Sequence, residues 1–189
     1  MFKSWRRGSV IVILVGLFCL LPFPSALICQ TSTKITTYKV FTIKVNYDRN
    51  IEDGIKAGRY NSTIPGPTVF SSSHNDFSSS PKKGNQKIKI YLKRLDLGSM
   101  VSTEEIFDEL DKQGFRPANI SECLAFGEKY PDIQRKFPVI FFGSVWISPG
   151  GNLNCPFLSG NNSFRCLYLG YFNTNGWSAG TYLLAFVKK

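Results

Sequence analysis

The chain has 189 residues, of which 43% are hydrophobic and 19% charged, and its formal net charge is +10 at pH 7. That apolar content excludes a disordered chain, and the length allows one main domain with room for an appendage. Five cysteines and a single histidine, His74, exclude a structural zinc site, because no pair has the spacing that zinc ligands need.

At the N-terminus, Lys3, Arg6 and Arg7 precede an apolar run from Val10 to Leu21, which Pro22 and Pro24 break. With small residues at Ser25 and Ala26, this reads as a secretory signal. Pro24 fits poorly if the cut follows Ala26. The run can also continue to Ile28 as an uncleaved anchor, since about 20 apolar residues span a bilayer. Cys29 points to a lipoprotein, but Ile28 is too bulky for the usual attachment motif. Residues 1–30 are therefore expected to be a signal peptide or membrane anchor. The body is expected outside the cytoplasm, either secreted or held at the cytoplasmic membrane.

Residues 31–60 predict a strand and a short helix. Phe41, Ile43, Val45 and Tyr47 alternate with Thr42, Lys44 and Asn46, as in a half-buried strand. Asp48 or Asn50 can cap the helix, Ile51 and Ile55 share a face, and Gly58 can end it. Residues 61–86, rich in Ser, Pro, Gly and Asn, predict a long loop. His74 lies there among serines, with nothing to hold a Ser–His pair in catalytic geometry.

Residues 87–189 predict an α+β domain. A strand over Lys87–Leu97 turns Ile88, Ile90 and Leu92 inward and Lys87, Lys89 and Lys93 outward. Ser102 with Glu105, and Asn119 with Glu122, have capping-box spacing and open two helices. The first carries Ile106, Phe107 and Leu110 and stops at Gly114. The second carries Ile120, Cys123, Leu124 and Phe126 and ends before Pro131. Val139–Ile147 reads as one central strand, Pro156–Leu158 and Phe164–Leu169 as short strands, and Thr181–Val187 as the closing strand. The expected architecture is two helices packed on a mostly antiparallel sheet.

Asp132 is the last acidic residue, and the 57 residues after it hold twelve aromatics and six asparagines. Such a segment can stack and hydrogen-bond but cannot offer carboxylates to a metal or to acid–base chemistry. No metal or other cofactor is expected. Asn152, Asn154, Asn161, Asn162, Arg165, Tyr168, Tyr171, Asn173, Asn175 and Trp177 are the candidate ligand-binding residues, because rings supply rigid area and amides adaptable hydrogen bonds. The competing reading is turn chemistry for Asn161, Asn162 and Asn175, and a core role for Trp177. In an oxidising compartment Cys155 and Cys166 can bridge across a small loop; otherwise they are buried thiols. Cys123 is expected in the core.

The stretch Val45–Tyr60 resembles the opening of a widespread, uncharacterised protein family abundant in small-genome candidate-phylum bacteria. The likeness resumes over Gly114–Gly127, Tyr130–Pro138, Gly143–Trp146 and Leu183–Lys189. It implies no particular activity. At the level of fold, Arg116-Pro117-Ala118 at a helix start, Gly143 and Trp146 at a strand end, and a closing strand after Trp177 are similar to the C-type-lectin-like and sulfatase-modifying-factor-like domains. Calcium-lectin chemistry is not carried over, since the corresponding segment here has no acid. Nor is formylglycine-generating chemistry, since Cys155 and Cys166 lack the close spacing of that family's catalytic pair.

The expected function is that of an exported, non-catalytic binding or adhesion module, with a glycan or protein ligand on the cell exterior. One alternative is a membrane-tethered envelope structural protein whose basic surface meets anionic polymer. A nucleic-acid binder using the lysines of Lys87–Lys93 is a weaker alternative for an exported chain. An enzyme finds no nucleophile–base pair, phosphate loop or metal cluster in the sequence.

Overall fold

The computed structural model describes residues 35–71, 75–76, 82–95, 100–172, 176–178 and 182–189. In chain order the elements are β1 (Ile35–Asn46), α1 (Ile51–Gly58), β2 (Ser62–Ile64), α2 (Pro67–Phe70), β3 (Asn75–Asp76), β4 (Asn85–Leu95) and β5 (Met100–Val101). Then come α3 (Thr103–Lys112), β6 (Phe115–Pro117), α4 (Ile120–Lys129), α5 (Pro131–Lys136), β7 (Val139–Ile140) and β8 (Ser144–Ile147). The chain closes with β9 (Leu153–Gly160), β10 (Arg165–Tyr171), β11 (Trp177–Ser178) and β12 (Leu183–Lys188). The main sheet runs β1-β4-β12-β7-β9-β10-β2, and β5 pairs separately with β11. The pairing is antiparallel apart from β12 with β7 and β10 with β2. The α+β class expected from sequence is what forms.

Alternation in the strands divides the core in two. Phe41, Ile43 and Val45 of β1, Ile90 and Leu92 of β4, and Ala185 and Val187 of β12 fill one face, against Ile55 of α1 and Cys123, Leu124 and Phe126 of α4. Leu95, Leu184 and Phe186 fill the other, against Ile106 and Leu110 of α3 and the rings of Phe142 and Trp177. Fully burying such a side chain contributes about 1.5–3 kcal/mol, so both faces are needed. β1 pairs with β4 from Ile35 opposite Leu95 to Asn46 opposite Asn85. Residues 35–60 are thereby built into the same body as residues 87–189.

Local signals set the helix starts. Ser102 Oγ accepts from Glu105 N at 3.1 Å while the Glu105 carboxylate accepts from Ser102 N at 2.8 Å. Asn119 and Glu122 make the same reciprocal pair at 3.1 and 2.9 Å. Asn50, not Asp48, caps α1, its Oδ1 accepting from Asp53 N at 2.8 Å. The Asp48 carboxylate instead accepts from Gly84 N, at 3.0 Å. α1 ends at Gly58, and the left-handed residue that closes it is Arg59, at φ 49°.

Three expectations are corrected. Val139–Ile147 is not one strand. It breaks at Gly143, whose N–H donates to Ala118 O at 2.9 Å. A Cβ there would sit 2.7 Å from the Ala118 carbonyl. Residues 61–86 are not simply a loop. β2 adds to β10, and Phe70 of α2 is fully buried, with its ring edge-on to Trp146 at 5.7 Å. Pro156–Leu158 is the middle of the longer β9, where the Pro156 carbonyl accepts from Phe141 N at 3.0 Å.

Candidate functional site

A cleft of about 560 Å³ opens where the end of β1, the first turns of α1, the start of β4 and the outer face of α4 converge. β1 contributes Lys44 and Asn46, the turn into α1 contributes Arg49 and Asn50, and β4 contributes Asn85. Ser121, Glu128 and Lys129 come from α4, and Ile51 and Leu124 supply apolar wall. The helices meet closely because Gly54 faces Leu124, whose Cδ1 would lie 2.7 Å from a Cβ at that position.

The polar groups of the cleft divide into fixed and free ones. Arg49 Nη1 lies 2.6 Å from Glu128 Oε2, which neutralises the one carboxylate of the lining. Lys129 Nζ donates to Thr42 O at 2.9 Å, and Tyr130 Oη donates to the same oxygen at 2.9 Å, which ties α4 to the outer edge of β1. Asn50 is committed to its cap, with Nδ2 2.7 Å from Asp53 Oδ2. Asn46 Oδ1 accepts from Asp48 N at 3.1 Å. Among the described residues, the Lys44 ammonium, the Asn85 amide and the Ser121 hydroxyl have no partner. A ligand entering here meets an unpaired cation, neutral donors and an apolar wall.

Behind the cleft lies a buried charge network. Glu122 is fully buried. Its carboxylate accepts from Arg116 Nη1 at 3.0 Å, from Arg116 Nη2, and from Tyr47 Oη at 2.6 Å. Burial first, and the Glu122 charge second, hold the Tyr47 phenol well above its ordinary pKa. Lys82 Nζ stands 3.9 Å from Glu122 Oε1, and its own pKa is lowered by burial and then by Arg116. The network joins β1, β6 and the N-terminus of α4, so it fixes two walls of the cleft relative to each other. Among the described residues no group of acids, cysteines and histidine is arranged to hold a metal ion.

The eight of the ten residues picked out by sequence that the structure describes do not form one surface. Asn152 sits in the Ser148–Asn152 turn, its N–H donating to Ser148 Oγ at 3.1 Å, and Asn154 Nδ2 donates back to Asn152 O at 2.9 Å. Tyr171 is opposite Asn154 and is 72% exposed. Asn161 and Asn162 lie at the far end of β9, some seven residues on, which is about 23 Å at strand rise. There Asn161 Oδ1 accepts from Ser163 N and Phe164 N, both at 3.0 Å, so the turn-chemistry reading holds for it. Asn162 is exposed, and its carbonyl accepts from Arg135. Tyr168 is half-buried and stacked on Phe157 at 5.0 Å, and burial pushes its phenol up to about 12. Asn173 and Asn175 lie outside the described residues.

Arg165 and Trp177 are corrected from surface to core. Arg165 is 6% exposed, and its guanidinium donates to Gly58 O at 2.7 Å, Gly127 O at 2.6 Å and Gln134 Oε1 at 3.0 Å. It stitches α1, α4 and α5 to β10. Trp177 Nε1 donates to Thr103 Oγ1 at 2.7 Å, and its indole packs edge-on against Phe142. The Cys155–Cys166 bridge does not form, and both thiols are free and buried. Cys155 faces Gly170 and Cys166 faces Ser159, so they lie four residues apart along adjacent strands. That separation is about 13 Å, beyond the reach of a disulfide.

Sequence reasoning missed the cleft. Arg49, Asn85 and, on α4, Ser121 and Glu128 come from three separate segments with no shared motif, and the capping signals at Asn50 and Glu122 are what pointed toward this region. Compared with known protein families, with curated proteins and with solved structures, the chain matches none.

Proposed function

We propose that the protein is an exported, non-catalytic binding module whose ligand sits in the cleft between β1, α1 and α4. The observation that carries this reading is the set of uncommitted donors at Lys44, Asn85 and Ser121 in a cleft of about 560 Å³. That volume suits a small ligand, and the lining pairs a few convergent polar groups with an apolar wall. Lys44, Arg49 and Lys129 outnumber Glu128, so the chemistry that fits is a polyhydroxylated molecule carrying negative charge, such as an acidic sugar. The only carboxylate there is occupied by Arg49, which favours holding over bond-breaking.

A C-type-lectin-like architecture is part of this proposal. It is supported by the helix beginning just after Arg116-Pro117-Ala118, by Trp146 buried on β8, and by a closing strand that lies beside β4 within the sheet. Export rests on the apolar run at Val10–Leu21 behind its basic flank. Among the described residues no helix is long and apolar enough to cross a membrane.

The test is a thermal-shift screen of acidic and neutral sugars against the wild type and Ser121→Trp, which fills the cleft. A ligand that raises the Tm of the wild type and not of the variant supports the reading. A ligand that stabilises both equally, or none at millimolar concentration, ends it. Localisation with N-terminal sequencing of the mature chain tests export separately.

A further inference from the structure

The second face of the sheet is only partly covered. Toward the C-terminal end of β4 it is closed by α3 and its core, with Lys93 only 3% exposed and Leu95 only 6%. Toward the N-terminal end it lies open, and lysines occupy it. Lys44 of β1 is directly opposite Lys87 of β4, and Lys89, two residues on, is opposite Thr42. On the other side of β4, Val187 is opposite Ile90, which brings Lys188 of β12 alongside Lys89. Lys44, Lys87, Lys89 and Lys188 are all exposed. None of the four makes an ion pair among the described residues; Lys188 Nζ donates to the neutral Gln113 carbonyl at 2.9 Å.

Two like charges directly across a ladder destabilise the sheet. Lysines do protect exposed sheet edges from unwanted pairing. Edge protection does not account for Lys87 and Lys89, because β4 is an inner strand, bonded to β1 on one side and β12 on the other. Nearby, the Phe115 ring holds the Lys188 ammonium and one more, with Lys93 Nζ at 4.0 Å and Lys188 Nζ at 4.1 Å from its centroid. Exposed lysines are thus gathered on one sheet face at a cost to the fold, and among the described residues none of the four is balanced by an ion pair.

We propose that this open sheet face, with Lys44, Lys87, Lys89 and Lys188 as its contacts, docks a linear acidic polysaccharide. Successive lysines on a strand stand about 7 Å apart and cross-strand neighbours about 5 Å. That is an array for a chain of repeated charges rather than for one anion. Every contact is a lysine, a hydrated point charge that tolerates carboxylate or sulfate in varied orientations, and no arginine fork is present to select phosphate. Nucleic acid would need rings presented for base stacking. Here Tyr91 and Phe115 are packed against each other at 5.0 Å, and Phe115 is buried. A bilayer surface would want apolar side chains among the cations to enter the interface. These two rows place lysine beside lysine and Thr42 beside Lys89, and the exposed Val40, opposite Tyr91, comes one pair further on, beside the lysine cluster and not within it. The surface is distinct from the cleft, although Lys44 borders both.

The experiment titrates the labelled full chain with a heparin oligosaccharide across a series of salt concentrations. The wild type binds at low salt. Lys87→Ala/Lys89→Ala binds about tenfold more weakly with a shallower salt dependence, while a melt confirms that it is folded. Thr42→Lys, which adds a charge to the same row, binds more tightly. Ser121→Trp, which blocks the cleft, binds heparin as the wild type does, so loss of the cleft reading and loss of this one are told apart. Absence of heparin binding by the wild type overturns the proposal. So does unchanged affinity and salt slope in the double variant. Tighter binding of anionic vesicles or of a single-stranded oligonucleotide through the same lysines overturns the choice of polysaccharide.

Discussion

Glu122 and Arg116 form a buried ion pair in which both guanidinium Nη atoms donate to the carboxylate, and Glu122 is also the residue that caps its own helix. One carboxylate therefore closes the N-terminus of α4, neutralises a buried cation and accepts the phenol of Tyr47. Removing it leaves Arg116, 7% exposed, without its counter-charge.

Glu122→Gln is expected to destabilise the protein by about 3–5 kcal/mol, the usual cost of breaking a buried pair from one side. Urea unfolding of wild type and variant measures it. A loss below about 1 kcal/mol would mean that water reaches Arg116 and already carries much of the compensation.

Gly143→Ala tests the break between β7 and β8. The added Cβ would meet the Ala118 carbonyl carbon and oxygen, both at 2.7 Å, and these are backbone atoms that cannot turn aside. Overpacking of this kind costs about 1–3 kcal/mol, and the upper part of that range is expected. A melt indistinguishable from the wild type would show that the two chain segments are not so close.

Acid stability should depend on Glu105. Its hydrogen bonds to Ser102 hold its carboxyl below the ordinary value of 4.5. A carboxyl whose pKa is lowered by folding contributes stability that is present above the unfolded value and is lost as pH falls through the folded one. Glu105→Gln should therefore melt below the wild type at pH 6, with the difference shrinking as pH falls through the acidic range. A difference that is constant with pH would assign the effect to the shape of the side chain instead of its charge.

Cys123, Cys155 and Cys166 should each be alkylated after denaturation without any reductant, and slowly before it. Burial raises all three thiols above their ordinary pKa, which suppresses the reactive thiolate. Peptide mapping by mass spectrometry reads the outcome. A disulfide-linked peptide joining Cys155 to Cys166 would contradict the strand register between β9 and β10.

What was legible in the sequence was local. The capping boxes at Ser102 and Asn119 involve residues three apart, so their geometry follows once the helix starts. Period-two alternation gave β1 and β4 and turned Lys87 and Lys89 outward, but Lys93, expected outward with them, is buried, its Nζ donating to Thr37 Oγ1 at 3.0 Å beneath α3 and its core. What was not legible depends on distant partners. Gly143 ends a strand because Ala118 lies against it. Arg165 looks like a surface cation until the carbonyls of Gly58 and Gly127 and the amide of Gln134 come around it. Cys155 and Cys166 are near in sequence and far apart on the ladder, because register, not spacing, decides which side chains meet. The cleft is assembled from four segments, and no short window of sequence contains it.

The stretch between α1 and β4 has the composition of a tether, but part of it is structural. β2 covers the outer side of β10, and Phe70 plugs the space beside Trp146. Excising it to shorten the protein would strip a row of backbone donors and acceptors bare and uncover an indole, and such borders invite self-association. A trimmed variant would then be lost to precipitation rather than to reduced affinity, and solubility would be the first property to fail.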